Sequence, residues 1–198
     1  MDYDREFRAG PEMRLICVGP LPEGFVYAPE ILNEDEERAL LDVIAGIDFR
    51  EFQMHGVTAR RRVAHFGWHY SFDSRGITPT TPMPEGFEEV RRRAAALASV
   101  AAEDFAETLV TEYRPGAGIG WHRDAPPFGV VAGVSLRSAC RMRFQKGKDE
   151  ERETTAVELA PRSAYVLSGE ARTKWEHMIP PTKGLRYSIT FRTLRRRR

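Results

Sequence analysis

Two side chains set two positions apart, His122 and Asp124, carry the clearest chemical signal in this sequence. They close the stretch Thr108-Leu-Val-Thr-Glu-Tyr-Arg-Pro-Gly-Ala-Gly-Ile-Gly-Trp-His-Arg-Asp124, which reads as a strand, a Gly/Pro turn and a second strand. Residues i and i+2 of a strand point to one face, so this imidazole and carboxylate grip a single ion from the same side. His177, in Trp175-Glu176-His177 just ahead of Pro180-Pro181, is the best third ligand. Two histidines and one carboxylate leave the other coordination positions open. That suits non-haem Fe(II), which must also take O2 and a cosubstrate. Of the five histidines, His65 and His69 are the competing candidates.

Such a set needs a scaffold that brings distant segments together. At 198 residues, with 41% hydrophobic and 30% charged, the chain is expected to be a single domain, 1–198, with a real hydrophobic core. A net charge of +1 argues against wholesale polyanion binding. Three arginine clusters, Arg60 to Arg62, Arg91 to Arg93 and Arg195 to Arg198, could still hold phosphates, or could simply be solvated faces and a tail. The two cysteines, Cys17 and Cys140, have no metal-like spacing and suit a reducing compartment. The start Met-Asp-Tyr-Asp-Arg-Glu does not read as a signal peptide, and no apolar run approaches the length of a membrane span. The expected location is the cytoplasm.

Pattern predicts the elements. Met13 to Val18 and Phe25 to Leu32 are extended pieces. Asn33 caps a helix that runs to about Gly46, with acids in its first turn and Leu40, Leu41, Val43 and Ile44 on its apolar face. Phe49 to Met54 is a strand, and 60–72 is a β-prone run mixing arginine with aromatics. Asp73 to Pro84 is a loop, and a helix covers Glu85 to Glu103. From Thr108 the chain is all β, with strands near 130–136, 141–145, 157–159, 164–167 and 185–193, a charged hairpin tip at 146–153 and a connector at 168–174. Many short strands after two helices give an α+β chain with a sandwich or double-stranded β-helix (jelly-roll) core.

The last strand, Leu185-Arg-Tyr-Ser-Ile-Thr-Phe-Arg-Thr193, places Arg186, Ser188, Thr190 and Arg192 on one face and Tyr187, Ile189 and Phe191 on the other. An arginine on an inward sheet face is costly unless an anion meets it. The guanidinium fork suits a carboxylate held in two bonds. Alternation alone leaves open which face lines a cavity. In the 60–72 run, aromatics interleaved with arginine are what a surface for bases and phosphates needs, or else mark a buried aromatic strand with its arginines in water.

Taken in order, these pieces resemble the AlkB family of Fe(II)/2-oxoglutarate dioxygenases. The matching segments are Thr-Glu-Tyr113-x-Pro-Gly-x-Gly-Ile-x-x-His122-x-Asp124, Val-Ser135-Leu, Pro161-Arg-Ser-Ala-Tyr-Val-Leu-Ser-Gly-Glu-Ala-Arg172, Trp-x-His177-x-Ile-Pro-Pro and Arg186-Tyr-Ser-Ile-Thr-Phe-Arg192. The resemblance implies a jelly-roll core over 108–193, an N-terminal extension with helices and a nucleotide-recognition lid over 1–107, and a basic tail at 194–198. It implies that His122, Asp124 and His177 bind iron and that Arg186 clamps the far carboxylate of 2-oxoglutarate. Tyr113, Thr111 and Ser188 would lie around the cosubstrate, with Arg192 nearer the iron. Tyr70, Phe72, Arg62 and Trp68 of the lid would meet the substrate base. The implied reaction is oxidative dealkylation of N-alkylated bases in DNA, with RNA as a further substrate, consuming O2 and releasing an aldehyde, succinate and CO2. The alternatives are a dioxygenase of protein side chains and a nucleic-acid-binding relative without turnover. The family founder has an acid two positions after its metal aspartate; Pro126 stands here, so lesion preference does not carry over. No membrane partner is expected, and the protein is expected to be a monomer.

Overall fold

The computed structural model describes residues 17–54, 57–71 and 76–195. Among the described residues, thirteen strands fall into two antiparallel sheets facing each other. The smaller sheet runs in the order β1 (Cys17–Val18), β10 (Glu153–Leu159), β9 (Cys140–Lys146), β12 (Glu176–Ile179) and β7 (Ile119–His122). The larger runs β2 (Phe25–Ala28), β11 (Ala164–Leu167), β8 (Phe128–Leu136), β13 (Arg186–Leu194), β6 (Phe105–Tyr113), β4 (Val57–Ser71) and β3 (Arg50–Met54), with β5 (Gly76–Pro79) paired to the far end of β4. From β6 to β9, and again from β10 to β13, successive strands alternate between the two sheets, as in a jelly roll.

The alternation on β13 sorts the molecule into layers. Ile189 and Phe191 are fully buried on the outer face of the large sheet, among Val110, Ala132 and Val134. Two helices cover that face: α1 (Glu34–Ala45) with Leu40 and Ile44, and α2 (Glu88–Ala98) with Val90 and Ala94. Asn33 opens α1 with a capping box, its side chain accepting from the Glu36 amide while Glu36 accepts from the Asn33 amide. A second core between the sheets gathers Met142, Phe144, Val157, Leu159, Tyr165, Leu167 and Trp175.

The expected helix over 85–103 is shorter than its pattern suggested. A 3-10 turn at Glu85–Phe87 leads into α2, and Ser99 ends it in a left-handed conformation (φ 54°). The connector at 168–174 contains a short helix, α3 (Gly169–Thr173). The arginines of α2 are tied to its own acids and to α1: Arg91 to Glu88, Arg92 to Glu89, and Arg93 to both Glu89 and Glu36. The phosphate-binding option for that cluster therefore gives way to intramolecular pairing. His55, Phe72 and Arg196 to Arg198 lie outside the described residues. No helix among the described residues is long and apolar enough to cross a membrane.

Besides β3, β4 pairs with two further strands in succession. Through Gly67 it pairs with β6, and from Trp68 it pairs with β5. The change occurs at Gly67, whose φ of 76° is open to glycine and strained for other residues. Its amide donates to the Thr81 carbonyl, and its own carbonyl accepts from Thr80. A Cβ there would sit 2.3 Å from the Ala106 carbonyl oxygen. Gly67→Ala should therefore cost roughly 1–3 kcal/mol, read as a lowered urea midpoint at unchanged m-value. A wild-type midpoint would show that the bend does not need glycine.

Candidate metal and cosubstrate site

Two strands of the large sheet build one wall of a cavity between the sheets. β6 lines it with Glu107, Leu109, Thr111 and Tyr113, and β13 with Ser188, Thr190 and Arg192. Arg186 continues that row and is fully buried. The rows face each other in register: Arg186 opposite Tyr113, Ser188 opposite Thr111, Thr190 opposite Leu109 and Arg192 opposite Glu107. The polar face of the last strand is thus the inward one.

The small sheet supplies the opposite wall. His122 on β7 is the direct cross-strand partner of His177 on β12, with ring centroids 4.3 Å apart. Asp124 lies two residues beyond β7's last ring, and its Oδ2 sits 3.7 Å from His177 Nε2. Three side chains separated by more than fifty positions at the extremes thus meet at one spot.

Their chemistry is fixed by their neighbours. His122 Nδ1 lies 2.9 Å from the Gly120 carbonyl. A carbonyl oxygen only accepts, so Nδ1 carries the proton and Nε2 presents its lone pair. Burial, reinforced by the adjacent His122, pushes His177 down to about 3. Burial likewise lowers His122. Both rings are held neutral, the form that ligates. Burial alone would raise Asp124, but Arg192, His177 and His122 outweigh it and hold the carboxyl well below the usual carboxylate range. Arg192 donates to Asp124 Oδ1 at 2.7 Å, while Oδ2 is buried without a hydrogen-bond partner among the described residues. Arg172 holds the loop behind the aspartate, donating to the Ala125 and Phe128 carbonyls at 2.8 and 2.9 Å.

Arg186 is the second focus. Its Nε donates to Ser135 Oγ at 3.1 Å, and its guanidinium lies 5.0 Å from the Tyr113 ring centroid. Both terminal nitrogens are buried with no hydrogen-bond partner among the described residues. Burial raises the Tyr113 phenol, so it stays a neutral donor there. Tyr165, also raised by burial, closes the same region with its ring over Gly133.

These residues fit a ferrous ion and a dicarboxylate. One carboxylate oxygen without a hydrogen-bond partner among the described residues lies with two neutral imidazoles, the donor set expected for iron with open positions. A buried guanidinium with two idle donors needs an anion to offset its desolvation.

The lid expectations divide. Tyr70 lines the cavity. Arg62 does not; it makes a bidentate pair with Glu112 at 2.9 Å through each nitrogen, and its neighbour Arg61 faces the cavity instead. Trp68 is 39% exposed and lies away from the cavity lining. His65 and His69 gather around Glu107 and stand apart from the His122 set. Sequence reasoning missed Arg61, Arg123, Tyr165 and Glu107. Glu107 had a readable signal: it shares the period-two face of Thr111 and Tyr113 on β6, an acid in an apolar strand.

Comparison with known proteins identifies the family. The model of the 2OG-Fe(II) oxygenase superfamily matches residues 24–192. A mouse protein named tRNA (carboxymethyluridine(34)-5-O)-methyltransferase ALKBH8 is 31% identical over 171 residues, covering 82% of this chain and 25% of the relative. An Arabidopsis thaliana protein named alkylated DNA repair protein ALKBH8 homolog is 27% identical, covering 81% of this chain and 51% of the relative. The chain thus spans about a quarter to a half of the length of these two relatives. The solved structure of OsALKBH1 superposes with a TM-score of 0.67 at 16% identity, over 91% of this chain and all of that one, a likeness of fold.

Neutral buried imidazoles make a testable difference. From their ordinary value of 6.5, two exposed histidines would lose about a hundredfold in divalent-metal affinity between about pH 7.5 and about pH 5.5. Here Mn(II) affinity, followed by paramagnetic resonance of the free ion, should change only a few-fold across that range. A hundredfold loss would mean that the two rings titrate as exposed groups.

Proposed function

This chain belongs to the 2OG-Fe(II) oxygenase superfamily as an AlkB-like dioxygenase using Fe(II) and 2-oxoglutarate, and we propose that it removes alkyl groups oxidatively from bases of nucleic acid. The reading rests foremost on Arg186, a fully buried cation with two idle donors beside the converged His122, Asp124 and His177.

In this reading His122 Nε2, His177 Nε2 and Asp124 Oδ2 hold the iron. Arg192 keeps Asp124 Oδ1 engaged, so the carboxylate offers one oxygen rather than two. Arg186 receives the distal carboxylate of 2-oxoglutarate as a fork, with Ser135 fixing its Nε. Tyr113, Thr111 and Ser188 bound the same space. Iron with O2 and 2-oxoglutarate supplies the oxidising power for a C–H bond, giving succinate and CO2. The chain's own residues orient the alkyl group and keep bulk water out. An N-hydroxymethyl base then loses formaldehyde and returns to its unmodified form.

The substrate half of the cavity favours a base on a strand. Tyr70 offers a ring, and Arg61 and Arg123 bring positive charge to the same cavity. Stacking plus cationic groups suits a flipped or unpaired base with its phosphates. DNA is the first reading, and the Arabidopsis relative carries the words alkylated DNA repair in its name. The mouse relative's name specifies a modified uridine of tRNA, which favours RNA as the second reading. What is carried over from that relative is the nucleic-acid substrate, not methyl transfer, since the match here is to the oxygenase family.

A panel of methylated and etheno-modified DNA and RNA oligonucleotides, plus tRNA carrying modified wobble uridines, scored by mass change with Fe(II) and 2-oxoglutarate, decides the substrate. Loss of an alkyl mass from DNA supports the first reading, and oxidation confined to RNA supports the second. Turnover only with protein substrates would overturn both. Arg186→Ala should raise the 2-oxoglutarate KM by about 10- to 100-fold, the worth of a charged hydrogen-bonded pair, with a smaller effect on kcat. An unchanged KM would place the cosubstrate elsewhere.

A further inference from the structure

Arg192 stands between two carboxylates. One terminal nitrogen reaches Asp124 Oδ1 at 2.7 Å, and the other reaches Glu107 Oε2 at 2.7 Å. Each carboxylate is flanked by two imidazoles. Beside Asp124 are His122 and His177; beside Glu107 are His65 and His69. The chain therefore contains the two-histidine, one-carboxylate set twice, on either side of one guanidinium.

The second set is built by the bend in β4. Residues four apart on a straight strand lie about 13 Å from each other. The turn at Gly67 instead brings the His65 and His69 rings to 4.2 Å between centroids. His65 Nδ1 lies 2.8 Å from Glu107 Oε1. One potential ligand atom from each of the three residues lies within 4.8 Å of the other two. His69 Nδ1 is buried with no hydrogen-bond partner among the described residues. Glu107 is 1% exposed, whereas both histidines are half-buried, so water has access from one side.

We propose that His65, His69 and Glu107 form a second divalent transition-metal site, distinct from the His122, Asp124 and His177 set and joined to it through Arg192. Two imidazoles, one carboxylate and a water complete the tetrahedral shell that Zn2+ prefers. A ligating carboxylate is normally held by an outer-shell donor, and Arg192 fills that role for Glu107 as it does for Asp124. A carboxylate oxygen only accepts, so the proton of the 2.8 Å contact resides on His65 Nδ1 in the metal-free chain. The cation takes that proton's place, and the proton leaves to solvent. An ion there fastens β4 just before Tyr70, a cavity-lining residue, onto β6. It sets the edge of the substrate side without entering the oxidation. This inference does not depend on the nucleic-acid reading.

The test counts metal. The full chain carrying His122→Ala and His177→Ala is stripped with a chelator and titrated with Zn2+ against a chromogenic chelator. It should retain one tight equivalent, and adding His69→Ala should weaken that equivalent by about tenfold or more. Co2+ in the same double variant should give the intense visible bands of a tetrahedral site, lost with Glu107→Gln. Thermal melts show whether each variant is folded. Should the double variant not fold, the unaltered chain is counted instead, and its second equivalent should vanish on His69→Ala alone. The proposal fails if the folded double variant binds no stoichiometric Zn2+, if binding ignores His69→Ala, or if the unaltered chain takes up a single equivalent. In those cases the three residues are a hydrogen-bonded cluster and nothing more.

Discussion

Taking a guanidinium out of water inside a β-sandwich is expensive, and one strand does so with two, Arg186 fully buried and Arg192 with 14% of its side chain exposed. Arg186 and Arg192 both point from β13 into the space between the sheets. Arg192 is compensated within the chain: Asp124 and Glu107 outweigh its desolvation and raise its affinity for the proton. Arg186 is not compensated in the same way. Its Nε meets a serine hydroxyl, its guanidinium lies against Tyr113, and its two terminal nitrogens are buried without a geometric hydrogen-bond partner among the described residues. The contrast separates a cation that belongs to the scaffold from one that awaits an anion. The cavity, its polar lining and the convergence of the two imidazoles on Asp124 follow from placing those cations there.

The two sheets divide the work accordingly. The large sheet provides rigid, in-register rows on β6 and β13, where cross-strand pairs match cation to aromatic ring and cation to carboxylate. Its outer face is held by two helices whose apolar residues meet Ile189 and Phe191. Positions 186 to 192 are therefore fixed from behind, by alternation along a single strand. The small sheet provides the histidines on its short edge strand β7 and on the neighbouring β12, where a register shift after His177 leaves the pairing less regular.

What the sequence revealed follows from range. Period-two alternation is local, and it identified both faces of β13, whereas β7 ends at His122 and Asp124 lies in the turn beyond it. The Asn33 cap and the apolar stripe of α1 are also local, and the helix lies where they put it. Other features depend on long-range pairing. Arg61 and Arg62 are neighbours with identical side chains; only the register of β4 against β6, which sets Arg62 opposite Glu112, decides which one turns inward. The arginines of α2 looked equally free in the sequence, yet Arg93 is tied to Glu36 across fifty-seven positions. The early end of α2 was hidden because Ser99 adopts a left-handed conformation that no composition rule marks.

Glu107 shows how one unread residue alters the meaning of several others. In sequence His65 and His69 compete with His122 and His177 for a single ion. In the fold they cannot, because Glu107 and Arg192 stand between the groups. The glutamate is almost fully buried, and Arg192 and His65 outweigh that burial to keep it ionised. An ionised carboxylate at that depth fixes Arg192, and Arg192 fixes which oxygen Asp124 turns toward the imidazoles. The geometry of the His122 set is thus held through a chain of charge pairs reaching back to β4. A strand that reads as a peripheral basic and aromatic segment is, by this connection, part of the support for the centre.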